Sequence, residues 1–286
     1  MIVDKPGGMT SHDVVARVRR ATGESSIGHL GTLDPMATGV LPLLLGKYTR
    51  LAQFFGSLEK TYIGTIRFGF ATDTYDAEGQ PSGEPVTPVL SLEQVRAAAA
   101  RFHGEIDQMP PAFSAKKTGG KRAYQLARAG ETPQLKPARI TIQRFEITGL
   151  DGEIASFVMT VSAGGYVRSV AHELGIEVGC GAHLASLRRI AAGPFSIENA
   201  IALDVIEKLA GEEIEVLMPH PRTLLPSMPS VTADALSIGR IRNGAAVNLP
   251  EFSAVPFVKI FEGQRNLIAI GKRIAGTLFQ PTVVLG

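Results

Sequence analysis

The stretch Gly28-His29-Leu30-Gly31-Thr32-Leu33-Asp34-Pro35-Met36-Ala37-Thr38-Gly39-Val40-Leu41 places one carboxylate in a segment with three Gly, two Thr and one Pro. Glycine lets backbone come close to a ligand, and Pro35 biases Asp34 toward an extended backbone. An isolated Asp-Pro pair reads as a turn. A patterned loop of this length, running into the apolar segment Val40 to Leu45, reads instead as a site-bearing loop that feeds a buried element.

Upstream of this loop, Gly7-Gly8 precedes a predicted helix from Thr10 to Thr22. Ser11 is its expected N-cap, and Val14, Val15 and Val18 form an apolar stripe opposite Arg17, Arg19 and Arg20. Downstream, Tyr62, Gly64, Ile66 and Phe68 alternate with Ile63, Thr65 and Arg67, which predicts a strand over Lys60 to Gly69. Residues 73–90 are polar and rich in Pro and Gly, so a surface loop is expected there. Ser91 and Gln94 form a capping box ahead of an Ala-rich helix ending near Arg101. A Pro-then-Lys-rich loop over 109–122 leads to a short helix from Ala123 that stops at Gly130.

Ile140 to Leu150 and Ile154 to Ser162 read as a hairpin around Asp151-Gly152. Further helices are expected at about 166–174, 182–190 and 203–210. Four Pro over 219–230 mark a linker. Beyond it, Phe257–Phe261, Leu267–Ile270 and Thr282–Leu285 suggest a small β domain.

At 286 residues the chain holds one large domain, or a large and a small one. No apolar run approaches the roughly 20 residues that span a bilayer. The start carries no cleavable signal, and the single Cys180 excludes an intrachain disulfide, so a cytoplasmic setting is expected. The net charge of +2 argues for nothing by itself. The basic clusters are more telling: Arg17, Arg19 and Arg20; Lys116, Lys117, Lys121 and Arg122; Arg188 and Arg189. They point toward a polyanionic partner.

Several chemistries fall away. Gly46-Lys47 lacks the earlier Gly of a phosphate loop, which is Leu41 here, and Tyr48 replaces its Ser or Thr. His172-Glu173 lacks the second His of a zinc-protease helix. There is no Gly-x-Ser-x-Gly elbow, and one Cys with six scattered His makes no metal cluster. The expected chemistry therefore uses no metal and no cofactor.

The loop around Asp34 resembles the nucleophile motif of the TruB family of tRNA pseudouridine synthases. Asp4-Lys5-Pro6-Gly7-Gly8-Met9-Thr10-Ser11 resembles that family's opening motif. Lys60-Thr61-Tyr62 is similar to its tyrosine motif, and Gly165-Tyr166-Val167-Arg168-Ser169 to its arginine motif. Pro110 to Lys117, Ala123-Tyr124, Ala127-Arg128, and Ala182 through Arg189 to Gly193-Pro194-Phe195 also match, in order. The resemblance implies an α+β catalytic domain over 1–225, with a mixed, mostly antiparallel sheet flanked by helices. It implies an RNA-contacting insertion over about 73–137 and a PUA-like domain over 226–286.

The activity implied is isomerisation of uridine-55 in the tRNA T-loop, with base flipping and no guide RNA; a guide-RNA-dependent synthase and a non-catalytic tRNA-folding or binding protein are the alternatives, and a monomer is the default where the sequence is silent. The resemblance makes Asp34 the nucleophile and Tyr62 and Arg168 its partners, Arg168 holding the carboxylate through two bonds. Tyr166 and Leu187 would line the base pocket, His29 would fill the gap left by the flipped base, and Lys5 and Asp76 would lie nearby. Lys116, Lys117, Lys121, Arg122, Arg188 and Arg189 would dock the T-arm through phosphates.

Overall fold

The computed structural model describes residues 1–114, 116–209 and 211–286, without the side chain of Glu212. Ala115, in the motif from Pro110 to Lys117, and Ala210, at the end of the helix expected over 203–210, lie outside the described residues.

The strands in chain order begin with β1 (Ile2–Lys5), β2 (Ile27–His29), β3 (Thr38–Leu45) and β4 (Lys60–Phe68). Two small hairpins follow, β5 (Ala71–Thr72) with β6 (Pro81–Ser82), and, after β7 (Gly104–Gln108), β8 (Lys117–Thr118) with β9 (Lys121–Arg122). Then come β10 (Ala138–Asp151), β11 (Ile154–Val161), β12 (Ala182–Ala192), β13 (Phe195–Ser196) and β14 (Ile201–Ala202). The main sheet runs β14-β1-β3-β12-β4-β11-β10-β7, with β2 beside β3 and β13 beside β12. Only β1–β14 and β3–β12 pair in parallel, so the sheet is mixed and mostly antiparallel, and the fold is α+β.

One face of this sheet carries helices α1 (Ser11–Thr22), α2 (Leu92–Ala100) and α4 (Val167–Val178). The short α3 (Ala123–Arg128) follows the Lys-rich hairpin. Val14, Val15 and Val18 of α1 are buried, as their spacing predicts, against Leu33, Leu41 and Val3. The alternation of β4 also holds: Tyr62, Ile66 and Phe68 are buried, while Ile63 and Arg67 are exposed.

Four expectations are corrected. First, the N-cap of α1 is Thr10, which forms a capping box with Asp13; Ser11 sits inside the helix, buried. Second, residues 182–190 are strand, not helix. Leu184, Leu187 and Ile190 carry a helical spacing, but β12 lies between β3 and β4, where β-ladders on both sides satisfy its backbone. Third, 73–90 is not wholly a surface loop, because Asp76 is buried and bridges to Leu184 of β12. Fourth, the helix expected over 203–210 is a single turn, α5 (Leu203–Ile206).

The C-terminal region adds α6 (Glu212–Val216) and a five-stranded sheet, ordered β15-β17-β18-β19-β16. Its strands are β15 (Ser230–Thr232), β16 (Val247–Asn248), β17 (Phe257–Glu262), β18 (Asn266–Ala275) and β19 (Leu278–Val284). Sequence reasoning missed its helix α7 (Ala235–Arg242), which Asp234 caps by accepting from the Ser237 N–H at 2.7 Å. The Pro-rich stretch before this sheet is docked. Leu225 is buried, and Lys259 donates to the Arg222 and Leu224 carbonyls at 2.6 Å each. Phe261, Leu267, Ile270, Val283 and Leu285 share a core with Ile2, Val40, Leu44, Leu51 and Phe195 of the main domain. Among the described residues, no helix is long and apolar enough to cross a membrane.

Candidate active site

The Asp34 loop is held from three directions. Lys5, at the end of β1, is fully buried, and its Nζ donates to the carbonyls of Pro6 (2.9 Å), Pro35 (3.1 Å) and Ala37 (2.7 Å). Ser11 Oγ donates to the Leu33 carbonyl at 3.1 Å and accepts from the Leu33 N–H at 2.8 Å. The Gly8 N–H reaches the Pro35 carbonyl at 2.9 Å. The opening motif is therefore the scaffold of the Asp34 loop. Burial lowers the Lys5 pKa to about 8, against the pull of the Asp34 carboxylate.

From below, Arg189 is fully buried on β12. Its Nε donates to the Val40 carbonyl at 2.6 Å and its Nη2 to the Gly31 carbonyl at 3.0 Å. The expectation that Arg189 docks phosphate is thus corrected: the guanidinium is committed to the loop's own backbone. Gly39 shows how tightly the loop meets β12. A Cβ there would lie 2.2 Å from the Arg189 carbonyl oxygen, and its φ is 100°. Only glycine fits.

Arg168 lies in the first turn of α4 with its side chain 6% exposed. Nη2 donates to Asp34 Oδ1 at 3.1 Å, while Nε lies 2.9 Å from Asp34 Oδ2 but out of line for a hydrogen bond. The two expected bonds are therefore one bond and one ionic contact. Nη1 donates to Asp76 Oδ2 at 3.1 Å and to the Thr74 carbonyl at 3.0 Å, and Nη2 also reaches the Phe113 carbonyl at 3.0 Å. One guanidinium thus joins two carboxylates from loops far apart in sequence. Asp76 is fixed in turn by Thr74 Oγ1 (2.6 Å) and the Glu78 N–H (3.1 Å).

A third of the Asp34 side chain (33%) meets solvent. Burial raises its pKa above the ordinary range. The Arg168 guanidinium opposes this, the Asp76 carboxylate adds to it, and Lys5 opposes it again. Glu78, which sequence reasoning missed, is raised by burial and by Asp76 and Asp34, so it also faces this group.

Tyr62 is buried on β4, opposite Arg189 and Met159, in the core that contains Leu33 and Leu187. Leu187 is buried on β12 opposite Gly64, so it belongs to a strand rather than to the expected helix. Tyr166 precedes α4 and is clamped by the buried Gln108, whose amide accepts from the Tyr166 N–H (2.8 Å) and donates to its carbonyl (3.0 Å). Burial raises the Tyr166 hydroxyl pKa, with Ser114, Arg168 and Asp34 in its surroundings. His29 ends β2 half-buried, its Nδ1 without a hydrogen-bond partner among the described residues, and burial and the nearby Arg189 lower its pKa. Gln108 and Ser114 carry no local sequence signal, because their partners lie tens of residues away.

Lys117, Lys121 and Arg122 are exposed on the β8–β9 hairpin, with Lys116 half-buried at its base. That hairpin follows Phe113, whose carbonyl holds Arg168. Arg188 is 37% exposed and pairs with Asp4 at 2.7 Å. Among the described residues, no group of His, Cys, Asp and Glu has the arrangement of a metal site.

Residues 19–167 match the model for TruB family pseudouridylate synthase (N terminal domain), and residues 168–225 that for tRNA pseudouridylate synthase B C-terminal domain. A Solibacter usitatus protein named tRNA pseudouridine synthase B is 44% identical over 100% of this chain and 99% of its own. One of the same name from Aquifex aeolicus is 39% identical over 97% and 96%. Among solved structures, a chain of the archaeal box H/ACA sRNP Nop10-Cbf5 complex shares the fold. Its TM-score is 0.72 at 24% identity, covering 100% of this chain and 85% of that one. With family models matching residues 19–225 and full-length relatives at up to 44% identity, the chain belongs to the TruB family of pseudouridine synthases.

Proposed function

We propose that this chain converts uridine-55 in the T-loop of tRNA to pseudouridine, as a single protein without guide RNA, in the cytoplasm. The observation that carries the reading is Asp34, solvent-reachable yet gripped by a buried arginine that a second carboxylate orients. The names of the full-length relatives support tRNA as substrate.

The reaction breaks the N1–C1′ bond, turns the uracil, joins C5 to C1′ and moves the C5 proton. The target base must leave its stack before a side chain can reach it. Asp34 acts as a carboxylate at the ribose, and Arg168 keeps it ionised against the upward pull of burial. Tyr62 stacks on the flipped uracil and takes the C5 proton through its hydroxyl. Tyr166 and Leu187 close the base pocket, and His29 occupies the vacated position. Lys5 and Asp76 work indirectly, one on the loop backbone and the other on Arg168. The hairpin cations Lys116, Lys117, Lys121 and Arg122, with Arg188, hold phosphates of the T-arm, and the 226–286 domain is a PUA-like RNA-binding unit.

The test is tritium release from tRNA labelled at uracil C5. Wild type should release tritium, while Asp34→Asn should release none and keep tRNA affinity within about tenfold. Substantial release by Asp34→Asn would remove Asp34 from the chemistry.

A further inference from the structure

His172 failed as a zinc ligand, yet it stands four residues after Arg168, so both project from one side of α4. Its ring lies face to face with that of Tyr75, centroids 3.8 Å apart and planes 13° apart. Tyr75 has a φ of 66°, a backbone region that bulky side chains rarely occupy. Glycine would adopt it without strain, but the chain has an aromatic there.

The flanking residues give that strain a purpose. Thr74, just before Tyr75, supplies the carbonyl that accepts from Arg168 Nη1, and Asp76, just after it, supplies the carboxylate for the same nitrogen. The Tyr75 carbonyl accepts from the Leu184 N–H at 3.0 Å, and the Ala77 N–H donates back to Leu184 at 3.0 Å. The turn is thus tied to β12 by its backbone, and to α4 both by Arg168 and by the ring stack. Among the described residues, His172 Nδ1 is buried without a hydrogen-bond partner, and the ring's contact with Tyr75 is through its face.

We propose that the Tyr75–His172 stack is a positioning device for Arg168. It locks the left-handed turn so that Thr74 and Asp76 meet Nη1 together, which aims the rest of the guanidinium at Asp34. Both rings act through the Thr74–Asp76 turn that holds Arg168. Both are positioning residues, and their role rests on the function proposed above.

The experiment compares His172→Ala, His172→Phe and Tyr75→Gly with wild type. It measures saturating turnover by tritium release, tRNA affinity by filter binding, and the Arg168 guanidinium signal by nitrogen NMR. Misplacing a catalytic group by about 1 Å costs on the order of 100-fold in rate, so His172→Ala should lose about 10-fold to 100-fold in kcat. Its tRNA Kd should stay within about threefold. His172→Phe keeps an aromatic face and should restore both turnover and a sharp Arg168 signal. Tyr75→Gly relieves the strain but removes the stack, so it should behave like His172→Ala.

Wild-type kcat in His172→Ala or in Tyr75→Gly would overturn the proposal, as would a His172→Phe enzyme no better than His172→Ala. The guanidinium signal separates the two levels of the reading. A sharp Arg168 signal in wild type and His172→Phe that broadens in His172→Ala supports the positioning role even if wild type releases no tritium. An unchanged signal in His172→Ala sinks it even if wild type is fully active.

Discussion

Replacing Arg168 by Met keeps an unbranched apolar stem and removes the guanidinium with its charge, which exposes an asymmetry between its two carboxylate partners. Arg168 and Asp76 are 6% and 5% exposed, whereas a third (33%) of the Asp34 side chain meets water. Removing one member of a buried pair costs about 3–5 kcal/mol, because the other charge is stranded. Asp76 keeps its bonds to Thr74 Oγ1 and the Glu78 N–H, which places its loss near the lower end, at about 3 kcal/mol. Asp34 is different. Its side chain is more exposed than that of Asp76 and its Nε contact is out of line, so its share should be the smaller, at about 1 kcal/mol or less. Double-mutant cycles in urea at neutral pH measure both terms. Arg168→Met with Asp76→Asn should show a coupling of about 2–3 kcal/mol, and Arg168→Met with Asp34→Asn about 1 kcal/mol or less. Equal couplings, or an Asp76 coupling under about 1 kcal/mol, would refute the argument. Arg168 would then be held mainly by the Thr74 and Phe113 carbonyls.

Tyr62→Phe should bind tRNA nearly normally but turn over about 10²–10⁴ times more slowly, since the ring face remains and the hydroxyl is gone. Single-turnover kinetics near the wild-type rate would leave Tyr62 as a stacking platform only. The folded pKa of Lys5, about 8, lies below its ordinary 10.5. Between these values the unfolded chain binds the extra proton, so this group makes stability rise as pH climbs through that window. Lys5→Met should lack that rise when urea unfolding is compared at about pH 7 and about pH 10; an identical rise in both proteins would show that Lys5 is not its source. Lys117→Ala and Lys121→Ala should each flatten the salt dependence of tRNA binding by about 0.7–0.9 in log–log slope. Unchanged slopes in filter binding across a salt series would take the β8–β9 hairpin out of the RNA contact.

Much of the fold was legible where local signals agree. The β4 alternation, the Ser91–Gln94 capping box and the Asp151-Gly152 hairpin all appear as read. Residues 182–190 failed because Leu184, Leu187 and Ile190 follow a helical spacing, which the strand accommodates only through register shifts at Leu184/Ser186 and Arg189/Ala191. The choice between helix and strand was made by β3 and β4, which no local window contains. The two Arg of this strand were read as a phosphate clamp; one of them is buried, and nothing in Leu187-Arg188-Arg189 says which. The family motifs picked out Asp34, Arg168 and Asp76, and the structure brings these together. Glu78, Gln108 and the Tyr75–His172 pair stayed hidden, since their meaning depends on contacts across the chain.

The core shared by the two sheets bears on how the chain is made. Synthesis runs from the N-terminus, yet the apolar face formed by Ile2, Val40, Leu44 and Phe195 is covered by Phe261, Ile270, Val283 and Leu285. Residues 226–286 take on the order of 3–12 s to emerge at ordinary elongation rates. Throughout that interval the nascent catalytic domain presents an uncovered greasy surface to its surroundings. Until Val283 and Leu285 emerge, that face lacks its cover from the second sheet, which leaves the nascent catalytic domain prone to aggregate.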